Sequence, residues 1–448
     1  MDVIGLLPQF GSLFYTIAAF ILALSVIVAV HEYGHYIVGR WTGIKADVFS
    51  LGFGPVLFSR VDKHGTRWQF ALLPFGGYVK FKGDANAASA NTENTVSDLS
   101  PEERRQTMQG APLWARTATV AAGPVFNFIL SVLVFGAVMM SDGKAIEPMV
   151  VKSLNPLPVE GVTLQPGDQV NAISDLELPS FDDRDAFEAF SDQVPDAPLL
   201  DYKVVRNGDE QVVQGPHPWP ARVNVLAPRS AAYAADMRLG DVIKAVDDAP
   251  IYSFSQLVDI VEGSDGRTLK VDIWREGERL EVSLTPKRMD EPQEEGGFET
   301  NWRIGIGSGF AFDAETRRLG PLEAVQGGVS QTYSVVTSSL SGLYHMITGA
   351  ISSCNMSGPI GIAQVSGAMA SQGVSSFIWF IAVLSAAVGL LNLLPIPILD
   401  GGHLVFYGYE AVFRKPPSDK ALRVLMAVGL TLVLSLMVFA ITNDLFCP

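Results

Sequence analysis

The chain has 448 residues, 48% of them hydrophobic and only 18% charged, with a net charge of −15 and a mean hydropathy of +0.25. A soluble domain carries about 25% charged residues, so the composition argues against an ordinary soluble protein and puts a membrane protein first. The acidic balance offers nothing to nucleic acid. The two cysteines, Cys354 and Cys447, lie far apart without metal or redox spacing. They imply neither a disulfide framework nor a zinc knuckle and read as ordinary small residues.

In chain order, the first apolar run is Leu13 to Val30. A bilayer span takes about 20 residues. The first basic residue is Arg40, so the positive n-region of a signal peptide is missing and the run reads as a retained span. It continues into VIVAVHEYGHYIVGR (26–40), where His31, Glu32 and His35 form H-E-x-x-H. On a helix the two histidines share one face and can bind one zinc, with the glutamate placed to take a proton from water there. Polar groups inside a span are costly and usually functional.

The stretch SLGFGPVLF (50–58) has no evident chemical role. RWQFALLPFGGYVKF (67–81) is apolar, β-prone and interrupted by Pro74, Gly76 and Gly77. It reads as a hairpin. Ala85 to Ser100, rich in Ala, Asn and Ser, reads as a flexible loop. The second span is expected within Thr117 to Ser141.

A long acidic segment comes next. LQPGDQVNAI (164–173) and MRLGDVIKAVDDAPI (237–251) share the pattern x-x-G-D-x-[VI]-x-x-[IV]. The second continues as YSFSQLVDIV, an expected helix, and TLKVDIWREGERLEVSLTP, an expected hairpin around REGE. SDLELPSFDDRDAFEAF in the first copy aligns poorly. RMDEPQEEGGFE (288–299) reads as a linker. From Ala324 to Gln372 no Asp, Glu, Lys or Arg occurs, but Ser, Gly and Thr abound, as in a helix at the outer membrane surface.

The third span lies within Phe377 to Leu399 and the fourth within Val424 to Thr442. GLLNLLPIPILDGGH (389–403) closes the third. Pro395 and Pro397 disrupt a helix, and Gly401 and Gly402 are expected to loosen the chain beyond them. Broken backbone at membrane depth requires protein cover or a watered cavity, which a hydrolase needs. Asp400 ends the longest stretch without Asp, Glu, Lys or Arg, Ala324 to Leu399. Catalytic zinc takes three protein ligands and keeps an open position, so Asp400 is the candidate third ligand.

Charge orients the spans. Residues 37–116 hold 10 Lys and Arg against 7 Asp and Glu, and 405–423 hold 4 against 2; residues 140–320 hold 18 against 33. By the positive-inside rule the two basic segments face the cytoplasm. Both termini and the acidic segment then lie outside, and His31, His35 and Asp400 reach the inner side at similar depth. A fifth span within 324–350 would separate Asp400 from the histidines.

HExxH in the first span with N-x-x-P-x-P-x-L-D-G-G-H in a later one resembles the site-2 protease family of intramembrane zinc metalloproteases. The resemblance runs through most of the chain. It implies a polytopic α-helical membrane protein with four transmembrane helices, two inserted α+β PDZ-like domains and a membrane-associated β-hairpin. The expected domains are 1–142 with HExxH and the β loop, 143–218 as a divergent first PDZ-like domain, 222–288 as the second, 289–372 as linker and interfacial helix, and 373–448 with the third ligand. The resemblance implies one catalytic Zn2+ on His31, His35 and Asp400, Glu32 as general base, and Asn392 positioning the substrate or its oxyanion. It implies the bacterial inner membrane, with termini and PDZ-like domains periplasmic and the site near the cytoplasm. Implied partners are single-span membrane proteins already cut by another protease, such as an anti-sigma factor or signal-peptide remnants, and peptides at the second PDZ-like domain. Asp236 stands where such domains often carry glycine. A transporter with His and Asp in a broken helix, or an inactive PDZ membrane scaffold, are the alternatives.

Overall fold

The computed structural model describes residues 3–83, 99–181, 183–293 and 297–447. Most of the stretch expected as a loop, residues 84–98, lies outside them. The chain divides into two units, one of Met1–Met139 and Pro321–Pro448, the other of Met140–Gly320.

The first unit begins with helix α1 (Val3–Trp41), which carries the His-Glu-His motif near its C-terminal end. From Leu13 on it is one of four helices long and apolar enough to cross a membrane; α2 (Leu113–Asp142) is the second, and Val374–Leu393 and Asp419–Phe446 are the others. These coincide with the four apolar runs of the sequence.

Between α1 and α2 lie strands β1 (Ala46–Val61) and β2 (Arg67–Phe81). Phe49, Ser50 and Leu51 pair on one side with Val79, Tyr78 and Gly77, and on the other with Trp68, Gln69 and Phe70. Arg60, Ser59 and Phe58 pair with those same three residues of β2. Each long strand is therefore folded near its middle, giving four segments in the order 56–61, 67–71, 46–51, 77–81. The expected hairpin within 67–81 is corrected: its two arms pair with 46–51, not with each other. The fold in β1 occurs at Gly52, whose φ is +89° and whose Cβ would lie 2.8 Å from the carbonyl oxygens of Ala71 and Leu73. Phe53, Leu57, Phe58, Phe70, Leu73 and Phe75 around these folds are exposed, an apolar surface the protein does not cover.

The second unit contains a duplication. Its first copy is the antiparallel sheet β4-β3-β5-β6 (Leu176–Glu177, Gln169–Ile173, Leu200–Arg206, Asp209–Gly215), with helix α3 (Arg184–Gln193) between β4 and β5. The second is β8-β7-β9-β10 (Ala249–Pro250, Val242–Val246, Leu269–Arg275, Glu278–Leu284), with α4 (Phe254–Glu262) in the same place. So the poorly aligning stretch ends in the helix that matches YSFSQLVDIV. Each copy has its own apolar core, around Tyr202 and Val204 in one and Leu257 and Ile273 in the other.

The shared Gly-Asp has one job in both copies. Asp168 is buried and takes two hydrogen bonds from Arg206, at 2.6 and 2.7 Å; Asp241 takes two from Arg275, both at 2.7 Å. Each arginine ends a strand before a tight turn, Asn207-Gly208 or Glu276-Gly277, whose residues all have positive φ, as hairpins prefer. Burial raises the Asp168 carboxyl, but the Arg206 bonds outweigh it and hold it below its ordinary value. Asp236 also sits at positive φ, +56°, with its carboxylate bonded by Arg238 and its carbonyl by Arg275.

The stretch expected as a linker is instead a two-stranded ribbon, β11 (Lys287–Pro292) paired with β12 (Phe298–Arg303). Its charged residues hide any alternation, yet Arg303 fastens it by pairing with Glu291 and with Glu262 of α4.

The chain returns to the first unit at α5 (Pro321–Thr348). Expected as a surface helix, it packs its first turns antiparallel along α2. Gly136 faces the Ala324 carbonyl, Gly328 faces Val132, and Thr332 Oγ1 lies 3.1 Å from Ser131 Oγ. Glycines permit this close backbone approach. Next come α6 (Pro359–Ser371), α7 (Val374–Leu393), α8 (Asp400–Phe413) and α9 (Asp419–Phe446).

Two expectations fail here. The cysteines are not free small residues: Cys354 and Cys447 form a disulfide across 93 positions. The last turn of α9 folds onto the segment before α6, where Asp444 accepts from the Gly358 and Gly361 N–H groups and Asn443 donates to Ser353. Sequence spacing cannot reveal that approach. Nor do Gly401 and Gly402 loosen the chain. They are buried in the first turn of α8, where a Cβ would strike the carbonyl oxygens of Leu393, Leu394 and Ile396. The prolines do end the helix, and the glycines let the next one pack against that break.

Candidate metal centre

His31 and His35 lie one turn apart on α1, with their Nε2 atoms 3.1 Å apart. α8 brings Asp400 to them: its Oδ2 is 3.2 Å from His31 Nε2 and 3.4 Å from His35 Nε2. Asp400 occupies the first position of α8, where the helix N-terminus favours a carboxylate. Among the described residues this trio is the group of His, Cys, Asp and Glu side chains placed to hold a metal.

Three observations fit zinc to it. A tetrahedral zinc with bonds of about 2.0–2.1 Å separates its ligand atoms by about 3.3 Å, the spacing found. Asp400 Oδ2 is buried and without a hydrogen-bond partner. His35 Nδ1 is 2.8 Å from the Thr119 carbonyl oxygen, so Nδ1 carries the proton and Nε2 presents a lone pair toward the trio. Three electron-rich atoms converge on one point, an arrangement a cation satisfies.

The second span supplies the wall. Thr119, Gly123 and Asn127 recur every four residues along one face of α2. Gly123 lies against both imidazoles: a Cβ there would fall on His35 Nε2 and lie 2.8 Å from His31 Cε1. Asn127 Nδ2 is 3.2 Å from His31 Nδ1.

The sheet supplies the other side. The Val79 backbone amide faces the Glu32 carboxylate. A Cβ on Gly77 would lie 3.2 Å from Glu32 Cγ and 2.9 Å from Val28 Cγ1, so only glycine lets the edge segment 77–81 approach α1 here. One turn beyond Glu32, Tyr36 OH and Trp68 Nε1 both donate to Asp62, and the Tyr36 ring meets the stacked Phe49 and Trp68 rings edge-on. Those contacts fix the sheet on the helix that carries Glu32.

Asn392 is not gathered into this group. It sits on the last turn of α7 with its Nδ2 donating to the Val388 carbonyl, 3.0 Å away. The sequence reading missed Thr119, Gly123, Asn127, Gly77 and the bidentate pair of Arg116 with Glu410, 2.6 and 3.1 Å, which ties the start of α2 to α8. Asn127 had a signal, being the one Asn or Gln between Thr117 and Ser141.

A family model described as Peptidase family M50 matches residues 19–436. A protein of Rhizobium meliloti, provisionally named a zinc metalloprotease, is 36% identical over 432 residues, 96% of each chain. A regulator of sigma E protease from Salmonella typhimurium is 31% identical over 468 residues, 97% of this chain and 99% of that one. Among solved structures, a PDZ domain from Listeria monocytogenes is 18% identical over 19% of this chain and 84% of that one, with a TM-score of 0.16. The match along nearly the whole chain favours the enzyme over a transporter or scaffold: the chain belongs to Peptidase family M50, the site-2 proteases, and is a zinc metalloprotease.

Proposed function

We propose that the protein hydrolyses peptide bonds inside the spanning segments of single-span membrane proteins whose external domain has already been removed. The observation that carries this is the convergence of His31, His35 and Asp400 beside Glu32 and the strand edge 77–81, at the ends of membrane-crossing helices. Zinc on the trio supplies a Lewis acid for the scissile carbonyl and for water. Glu32 takes a proton from the attacking water and gives it to the leaving amine. The 77–81 edge offers backbone groups to an unwound substrate as an added strand. A helical substrate hides its carbonyls, so small or helix-breaking residues in it favour cleavage. For Asn392 to position the substrate, its amide turns away from Val388.

The protein is read as a multi-pass protein of the bacterial inner membrane, termini and residues 140–320 periplasmic, metal site near the cytoplasm. The basic segments 37–116 and 405–423 support this orientation, and so does the Cys354–Cys447 disulfide, since disulfides persist in oxidising compartments. The uncovered phenylalanines and leucines of β1 and β2 support a sheet dipped into lipid. The duplicated units are read as PDZ domains, 143–218 and 222–288, that admit only shortened substrates, the second also accepting peptide by strand addition. A relative named regulator of sigma E protease suggests an anti-sigma factor as substrate, with signal-peptide remnants as a second class.

The test uses a tagged single-span protein lacking its external domain, with purified wild type and Glu32→Gln in detergent and zinc assayed on the same samples. Cleavage within the span by wild type, with zinc bound but no cleavage in the variant, is the expected result. Equal cleavage by both removes Glu32 from its role.

A further inference from the structure

Asn127 is fully buried in the middle of α2, and neither family motif gives it a task. Its side chain is held in place: Ser385 Oγ donates to its backbone carbonyl at 2.9 Å, and its Cβ abuts Gly389 of α7. Nδ2 lies 3.2 Å from His31 Nδ1, while Oδ1 is buried without a partner. The amide can present either atom to the imidazole in the same space. With Nδ2 facing it, His31 Nδ1 must be the acceptor, so the ring proton moves to Nε2. That is the atom 3.1 Å from His35 Nε2 and 3.2 Å from Asp400, and a proton there blocks the metal. With Oδ1 facing it, Nδ1–H donates to the amide and the Nε2 lone pair is free. The imidazole chooses between the two. On the same face of α2, the Thr119 carbonyl already sets His35 in this way.

We propose that Asn127 is a positioning residue whose Oδ1 accepts from His31 Nδ1–H and fixes that ring's tautomer and orientation for zinc. The proposal rests on reading the trio as a zinc site. Partners of this kind change metal affinity by about 10- to 100-fold when removed.

Zinc affinity of the full-length protein in detergent, by competition with a chromophoric chelator, tests it. Asn127→Leu keeps the branched shape but not the acceptor and is expected to bind zinc about 10- to 100-fold more weakly. Asn127→Asp keeps an acceptor and is expected to stay within a few fold of wild type. Thermal midpoints of the metal-free proteins separate this from a packing defect, which would lower the midpoint of both variants and weaken both alike. If Asn127→Leu fails to fold, Asn127→Ala takes its place with the same expected loss. Wild-type affinity in Asn127→Leu, or equal loss in Asn127→Leu and Asn127→Asp, overturns the proposal. His31→Ala is the control on the site. If it loses zinc while Asn127→Leu does not, only the Asn127 role falls; if it keeps zinc, the site reading falls with it.

Discussion

Gly123→Ala adds one methyl group at the closest approach of α1 and α2. The new carbon would lie 2.8 Å from His31 Cε1 and on top of His35 Nε2, against ordinary carbon contacts of about 3.5–4.0 Å. At least about 0.7 Å of movement is needed at the first ring, and more at the second. A retreat of α1 from α2 would open the close packing of Gly34 on the Ala122 carbonyl and the Phe126 side chain. Overpacking of this kind costs about 1–3 kcal/mol of stability, while the ligand geometry is hit directly, since the methyl would collide with His35 Nε2 itself. The expected outcome is a folded protein with its thermal midpoint lowered by a few degrees, zinc content far below one per chain, and cleavage lost in parallel. Zinc by atomic absorption after dialysis against buffered zinc, with circular dichroism on the same sample, reads both. A Gly123→Ala protein that holds one zinc at wild-type affinity would refute the reasoning, because the ring and helix positions would then be softer than the structure allows.

Arg116→Met leaves Glu410 unpaired in a site where the two side chains are only 15% and 18% exposed, and is expected to cost about 3–5 kcal/mol; Arg116→Met with Glu410→Leu should recover much of that in thermal unfolding. Gly77→Ala is expected to push segment 77–81 off Glu32, lowering cleavage while zinc content stays at one per chain. The Asp168 carboxyl is held below its ordinary value in the fold, so its contribution is present above the unfolded value of about 3.9 and is lost as pH falls through the lower folded value. Hydrogen-exchange protection factors across 150–215, corrected for the intrinsic rate at each pH, should therefore fall below about pH 4, and Arg206→Met should be less stable at neutral pH with a shallower acid loss. Replacing Cys354 and Cys447 by serine opens a loop of 93 positions and is expected to cost about 2–4 kcal/mol; in cells, both thiols of the wild type should resist maleimide until a reductant is added.

The sequence by itself determined the features that depend on neighbours along the chain. Four apolar runs became the four membrane-length helices, because length and hydropathy alone set whether a helix can cross a bilayer. His31 and His35 share a face because they are four residues apart on a helix, and the Gly-Asp repeat marked two copies of one sheet because each needs the same buried aspartate at the same turn. Asp400 was legible as a rare charge after a long uncharged stretch. The tertiary structure alone decided what lies across the gaps. It brought α2's Thr119, Gly123 and Asn127 against the imidazoles, folded β1 and β2 so that 77–81 meets Glu32, and paired Cys354 with Cys447. It made a ribbon of the expected linker and turned Gly401 and Gly402 from flexible residues into packing ones. Around the metal centre the partner is distant in sequence and the residue is small or neutral. Its importance comes from the space it leaves or the single atom it offers, which spacing along the chain does not encode.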